Sequence, residues 1–375
     1  MKIIIDDKIP FIKGILEPYA EVMYLAGSGI SKKDVKKCDA LIVRTRTECN
    51  KELLEGTNVK FIATATIGYD HIDTRWCEAN GIEWTNAAGC NSSSVQQYIA
   101  SVLVNLSKKC NFKFENKTIG VVGVGNVGKK IVRLAETLGM RVILNDPPLA
   151  RQRGPCGYVS LDGLIHEADI ITLHVPLSFE GEDKTFHLID EEKIKKFNPG
   201  TILINSSRGE VIDNPALKNT IKHGVLKSAV LDVWENEPDI DLELVKMLDI
   251  STPHIAGYSA DGKANGTAMS VRALSKFFNL GIDHWVPENI PSADFTLIII
   301  DASDKSLQEV VSEAIEKTYE VKNDDERFKK APQEFEKQRG NYPVRREFHT
   351  YTVELKNGTS EMVERIRELG FKLKK

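Results

Sequence analysis

Three residues in the middle of the chain combine reactive chemistry with a suggestive placement. Arg208 lies in Ser206-Ser207-Arg208-Gly209 after the apolar run TILIN. Glu237 lies in Trp234-Glu235-Asn236-Glu237-Pro238 after SAVLDVW, and His254 in Thr252-Pro253-His254-Ile255-Ala256-Gly257. They stand 29 and 17 positions apart (237 − 208 and 254 − 237). Each follows the end of a strand-like run, so a parallel sheet brings all three to one crevice beyond its carboxyl edge. A guanidinium grips a carboxylate through two parallel donors. An imidazole takes the proton of a hydroxyl near neutral pH, and a neighbouring carboxylate orients it and favours its charged form. The set suits hydride and proton removal from a 2-hydroxy acid. Singly, each residue has an ordinary reading: a surface arginine, a glutamate opening a helix, a turn histidine. Their joint position downstream of a nucleotide signature favours chemistry.

That signature occupies residues 116–146. An apolar run ends in Gly123-Val124-Gly125-Asn126-Val127-Gly128. A helical pattern of Ile131, Leu134, Ala135 and Leu138 follows, and a second apolar run ends at Asn145-Asp146. Strand, glycine turn, helix and strand are the context a dinucleotide fingerprint requires. Gly123 permits the tight turn, Gly125 the close approach of a pyrophosphate, and Gly128 the packing of helix on strand. The helix N-terminus presents its unpaired N–H groups to the phosphates. Asp146, 23 residues after Gly123 (146 − 123), is placed to accept from the ribose hydroxyls of NAD.

With 375 residues, a net charge of −4 and a pI near 6.1, the chain is expected to form two or three domains. It reads as a binder of neither nucleic acid nor anionic membrane. Its six cysteines form no C-x-x-C pair, which suggests a reducing compartment without structural zinc or disulfides. No apolar run approaches the ~20 residues of a membrane helix, and the N-terminus does not read as a secretion signal. A cytoplasmic protein is expected.

The fold class expected is α/β with three parts. A Rossmann-type, doubly wound nucleotide domain spans residues 99–254. A flavodoxin-like substrate or lid domain combines 1–98 with 255–280, and a small α+β dimerisation domain follows at 281–375. Short strands are predicted at 2–5, 40–43, 61–63 and 82–84, with a helix over 10–19 that Pro18 disturbs. Polar strand tips at 44–47 and 64–70 are candidate ligand contacts. A long helix at 91–109 shows one apolar face, with Val95, Tyr98, Ile99, Val102, Leu103 and Leu106. Alternating strands and helices continue to 280. Beyond a proline-bearing connector, a strand (295–300), a helix (306–319), a charged stretch (323–346), a strand (348–355) and a helix (360–369) complete the chain.

The pieces GVGNVG, HVPL, SSRGEVID, LDVWENEP and TPHIAGY make the chain resemble the D-isomer-specific 2-hydroxyacid dehydrogenases over residues 1 to about 280. The resemblance implies an NAD-dependent oxidoreductase with Arg208 binding the substrate carboxylate, His254 as proton donor and acceptor, and Glu237 as its orienting acid. It implies substrate contacts from Thr45, Thr66 and Tyr258. NAD would be lined by Asn126, Val127, Asp146, Val175, Ser206, Ser207, Arg208, Asp232 and Gly257, besides the fingerprint glycines. Thr64–Thr66, Asp70-His71, Gly89-Cys90-Asn91, Asp146-Pro147-Pro148, Gly262-Lys263-Ala264, Asn341-Tyr342 and Arg345-Arg346-Glu347 resemble one branch of the family. That branch acts on a phosphorylated four-carbon 2-hydroxy acid. Arg44 and Arg46 are candidates for its phosphate. The chain departs from the family pattern at Ala88, Gln97 and Val175, none of which removes a reactive group. Two other readings stay open: a dehydrogenase of another 2-hydroxy acid such as 3-phosphoglycerate, and a non-catalytic NAD-sensing scaffold. A homodimer built through the C-terminal part is expected.

Overall fold

Strand β1 (Lys2–Asp6) sends Ile3 and Ile5 into one core and Ile4 into another, as a period of two demands, so it must be covered on both faces. The computed structural model describes residues 1–374. In it β1 joins β2 (Glu21–Leu25), β3 (Ala40–Val43), β4 (Phe61–Thr64) and β5 (Glu83–Asn86) in a parallel sheet ordered β2-β1-β3-β4-β5, the flavodoxin-like order. One face packs Ile5, Ile42 and Phe61 on Val271 and Leu274 of the Ala260–Phe278 helix. The other buries Leu41, Val43 and Ile62 with Leu54 and Cys77. Met1–Asn91 and Tyr258–Ser292 form this first compact unit. Residues 10–19 form turns and not the predicted helix. Phe11 and Gly14 take φ of 64° and 86°, which no continuous right-handed helix accommodates. Ile12 and Leu16 are buried all the same.

The second unit comprises Ser92–Gly257 and the chain from Ala293 onward. Its main sheet contains β6 (Thr118–Val122), β7 (Arg141–Asn145), β8 (Ile170–Leu173), β9 (Ile202–Asn205), β10 (Ser228–Leu231) and β11 (Ile250–Ser251). All are parallel, in the order β11-β10-β9-β8-β6-β7. The chain runs outward from β6 to β7, then crosses back to β8 and continues the other way. Strand order therefore reverses between β6 and β8, where an open sheet leaves a crevice.

The C-terminal segment adds a small parallel sheet, β12 (Leu297–Asp301), β13 (Thr352–Lys356) and β14 (Lys372–Leu373). The charged stretch at 323–346 holds two helices, Val321–Lys330 and Phe335–Gly340. Their Phe328 and Phe335 join Trp234 in the nucleotide-domain core, with ring centroids 5.9 Å apart at each step. The Ser92–Cys110 helix is buried on more than its apolar stripe. Its polar residues bond to the C-terminal segment: Ser94 donates to Glu347 (2.9 Å), Gln97 to the Arg346 carbonyl (2.9 Å) and Asn105 to Glu320 (2.7 Å). No helix among the described residues is long and apolar enough to cross a membrane.

Candidate active site

Strand register places the candidate residues. Asn145, Val122, Leu173, Asn205, Leu231 and Ser251 pair successively across the second unit's sheet and end its strands at one level. The residues that come next in each chain segment are Asp146, Gly123, His174, Ser206, Asp232 and Thr252. The fingerprint glycines, Val175, Ser206–Arg208, Asp232 and the His254 loop thus all rise from one carboxyl edge.

The imidazole and its acid meet. His254 Nδ1 lies 2.8 Å from Glu237 Oε2, and the Trp234 N–H donates to Glu237 Oε1 at 3.0 Å. Burial opposes the Glu237 charge, but the imidazole's charge and hydrogen bond, Arg339 and the Trp234 N–H outweigh it, so the carboxyl titrates below the usual glutamate range. An ionised carboxylate only accepts, so Nδ1 carries the proton and Nε2 is left as the basic atom.

Arg208 stands on a turn fastened by Asn205. The Asn205 Nδ2 donates to the Arg208 carbonyl (2.8 Å), while its Oδ1 accepts from the Ser207 N–H (3.0 Å) and hydroxyl (2.8 Å). A Cβ on Gly209 would collide with the main chain of Trp234 and Glu235. The segment after Arg208 therefore lies directly on the segment before Glu237. Glu235 secures that contact, accepting from the Asn214 N–H (3.1 Å) and meeting His187 Nε2 at 2.6 Å.

The buried Asp232 underpins the histidine loop. Its Oδ1 accepts from the Thr252 hydroxyl (2.6 Å) and the Ile255 N–H (2.7 Å), and its Oδ2 from the Ala256 N–H (2.9 Å). Its own carbonyl accepts from the His254 N–H at 2.7 Å. Burial raises the Asp232 carboxyl above the usual range despite the His254 charge and these donors.

The glycine turn fits a dinucleotide. Gly123 takes φ 85°, and a Cβ there would lie 2.6 Å from the His174 carbonyl oxygen. A Cβ on Gly128 would strike the Gly123 carbonyl, whereas one on Gly125 would meet nothing within 4 Å. Two glycines serve internal packing, and the middle one opens onto space. Gly125 also caps the Asn126–Thr137 helix without a side-chain bond, leaving that helix's first N–H groups for an anion. Asp146 is half-buried beside this turn, accepting from the Val124 N–H (2.7 Å) and capping the Pro147–Arg153 helix through Leu149 N–H (3.0 Å). Each oxygen keeps a lone pair for a ribose hydroxyl.

The expected substrate contacts Thr45, Thr66, Arg44, Arg46 and Tyr258 belong to the first unit. Arg44 Nη1 donates to the Lys8 carbonyl (3.3 Å), Thr66 links Thr64 (2.7 Å) to the Gly68 carbonyl (2.9 Å), and Lys263 Nζ lies 4.7 Å from the Tyr258 ring centre. Thr45 and Arg46 are exposed.

A family model described as D-isomer specific 2-hydroxyacid dehydrogenase, NAD binding domain, matches residues 93–256. A relative from Bacteroides thetaiotaomicron, named erythronate-4-phosphate dehydrogenase, is 49% identical over 94% of this chain and 99% of its own. The chain belongs to the D-isomer specific 2-hydroxyacid dehydrogenase family. A second relative of the same name, from Porphyromonas gingivalis, is 39% identical over 99% of this chain and 100% of its own. Two solved structures of the dehydrogenase family match with the same architecture. D-lactate dehydrogenase from Aquifex aeolicus, complexed with NAD and lactic acid, has a TM-score of 0.63 at 28% identity, covering 76% of this chain and 97% of its own. The NAD-bound 3-phosphoglycerate dehydrogenase of Entamoeba histolytica has 0.64 at 26%, covering 78% and 99%. Residues 290–370 match a separate model, described as a domain of unknown function. Whether Arg345 or Arg346 reaches a neighbouring subunit's active site is not legible in the sequence. The structure buries Arg345 beside the histidine loop, and its only advance notice was a paired arginine in the tail.

Proposed function

We propose that the chain oxidises 4-phospho-D-erythronate to (R)-3-hydroxy-2-oxo-4-phosphobutanoate with NAD, a step towards pyridoxal 5′-phosphate. Relatives at 39–49% identity are named for that substrate. The observation that carries the chemistry is the His254–Glu237 pair at 2.8 Å, on the same carboxyl edge as a glycine turn shaped for a dinucleotide. NAD bound at that turn supplies the hydride acceptor. Arg208 holds the substrate carboxylate, His254 Nε2 takes the C2 hydroxyl proton, and Glu237 keeps the imidazole oriented and stabilises its charge. Arg44 and Arg46 are the residues we assign to the phosphate, with Thr45, Thr66 and Tyr258 as further substrate contacts. Asn126, Val127, Asp146, Val175, Ser206, Ser207, Asp232 and Gly257 are those we assign to NAD.

The test is NADH formation by purified protein, with 4-phospho-D-erythronate, unphosphorylated erythronate and 3-phosphoglycerate compared. Highest kcat/KM on 4-phospho-D-erythronate supports the assignment, and Arg44→Ala should narrow its lead over erythronate. Preference for 3-phosphoglycerate would reassign the substrate, and binding of NAD without turnover would remove the enzyme.

Glu237→Gln should lower kcat, because the amide still reaches Nδ1 but no longer carries the charge that stabilises the imidazolium formed when the hydroxyl proton is taken. A wild-type kcat would contradict the pairing.

We also place the protein in the cytoplasm as a homodimer. The described cysteines are all free, which supports a reducing compartment. The edge strand β12 alternates buried and exposed residues, leaving Leu297 (44%) and Ile299 (47%) uncovered near Phe295 (48%). An exposed apolar edge of this kind favours pairing with a second copy. Light scattering should give twice the 41.9 kDa chain mass, and Leu297→Lys should lower it.

A further inference from the structure

We infer that Arg345, from the C-terminal segment, is a positioning residue for His254; this rests on the acid/base role proposed above. The segment Thr252–Ala256 is held by two side chains. Asp232 takes the N–H groups of Ile255 and Ala256 and the Thr252 hydroxyl. Arg345 Nη2 donates to the carbonyls of Ile255 (3.2 Å) and Ala256 (2.6 Å). Both N–H and both C=O groups of the two residues after His254 are thereby engaged.

The histidine needs such restraint. It takes φ 56°, a sparsely populated region that persists only where surrounding structure over-determines it. A small rotation of this backbone would swing the imidazole away from Glu237.

Arg345 is 5% exposed, with its guanidinium 4.5 Å from the Tyr319 ring centre and 5.8 Å from that of Tyr342. Its Nε and Nη1 find no hydrogen-bond partner. The Asp324 and Asp232 carboxylates and the two tyrosines favour its charge and outweigh the cost of burial. Its hydrogen bonds go to the loop carrying the proposed base, and nowhere else among the described residues. A guanidinium stabilised in this position is a fixed donor for the two carbonyls that follow His254.

Arg345→Met keeps the apolar stem between the tyrosines and removes both hydrogen bonds. Expected are a kcat lower by roughly 10- to 100-fold, the scale of a modest misplacement of a reacting group, unchanged NAD affinity, and a larger deuterium isotope effect at the substrate's C2. Arg345→Lys, whose ammonium reaches one carbonyl, should recover part of kcat. Wild-type kcat in folded Arg345→Met overturns the proposal, as does a parallel loss of kcat and NAD affinity. If Arg345→Met does not fold, Arg345→Lys decides: lowered kcat with intact NAD affinity supports positioning, and wild-type kcat refutes it. His254→Ala assayed alongside isolates the parent reading. Full activity there removes the acid/base role itself, whereas an inactive His254→Ala beside a fully active Arg345→Met defeats only the positioning.

Discussion

Replacing His254 with alanine should reduce kcat for 4-phospho-D-erythronate oxidation by about 10²- to 10⁴-fold, the usual contribution of a general base. The hydroxyl proton then has no acceptor held in place, while the glycine turn and Asp146 are untouched, so NAD affinity should stay within twofold or so of wild type. Glu237 would lose its imidazole but keep the Trp234 N–H at 3.0 Å, so the fold should survive with a modest loss of stability. Steady-state turnover and NAD titration check both halves. A loss smaller than tenfold would mean that another group takes the proton.

Arg208→Met should be nearly as damaging, through the substrate and not through the proton. Truncating one partner of a buried, hydrogen-bonded charge pair removes about 2–5 kcal/mol, or roughly 30- to several-thousand-fold in kcat/KM at tenfold per 1.4 kcal/mol. The turn itself should hold, because Asn205 fastens it through main-chain atoms and Gly209 still lies on Trp234. Arg208→Lys should recover little, since an ammonium cannot reproduce a two-pronged grip on a carboxylate. Kinetics with varied substrate at saturating NAD decide the matter, and a kcat/KM within twofold of wild type would exclude Arg208 as the carboxylate anchor.

Much of the architecture was legible locally. The strand–glycine–helix–strand run at 116–146 is self-contained, because a turn at Gly123 and a stripe of Ile131, Leu134 and Ala135 depend on neighbours a few residues away. The helix over 10–19 failed for an equally local reason: Phe11 and Gly14 adopt positive φ, and their apolar neighbours reach the core from turns. The Ser92–Cys110 helix shows what periodicity leaves out. Its apolar stripe was evident, but Ser94, Gln97 and Asn105 are also engaged, because a segment more than 200 residues later brings partners to them. The charged stretch at 323–346 hid Phe328 and Phe335 in the same way. Two aromatics among many charges carry no pattern until Trp234 is beside them.

Residue types and order alone marked the dinucleotide turn and the alternating α/β architecture, which depend on short-range chemistry, and singled out the arginine, the acid and the histidine as candidates. Only the folded chain decided which atoms meet: Nδ1 of His254 with Oε2 of Glu237, Gly209 on the main chain of Trp234, and Asp232 and Arg345 on the N–H and carbonyl groups of one loop. Those meetings depend on strand register and on the burial of a distant tail. Both are settled by packing across the whole sheet, which no short stretch of sequence contains.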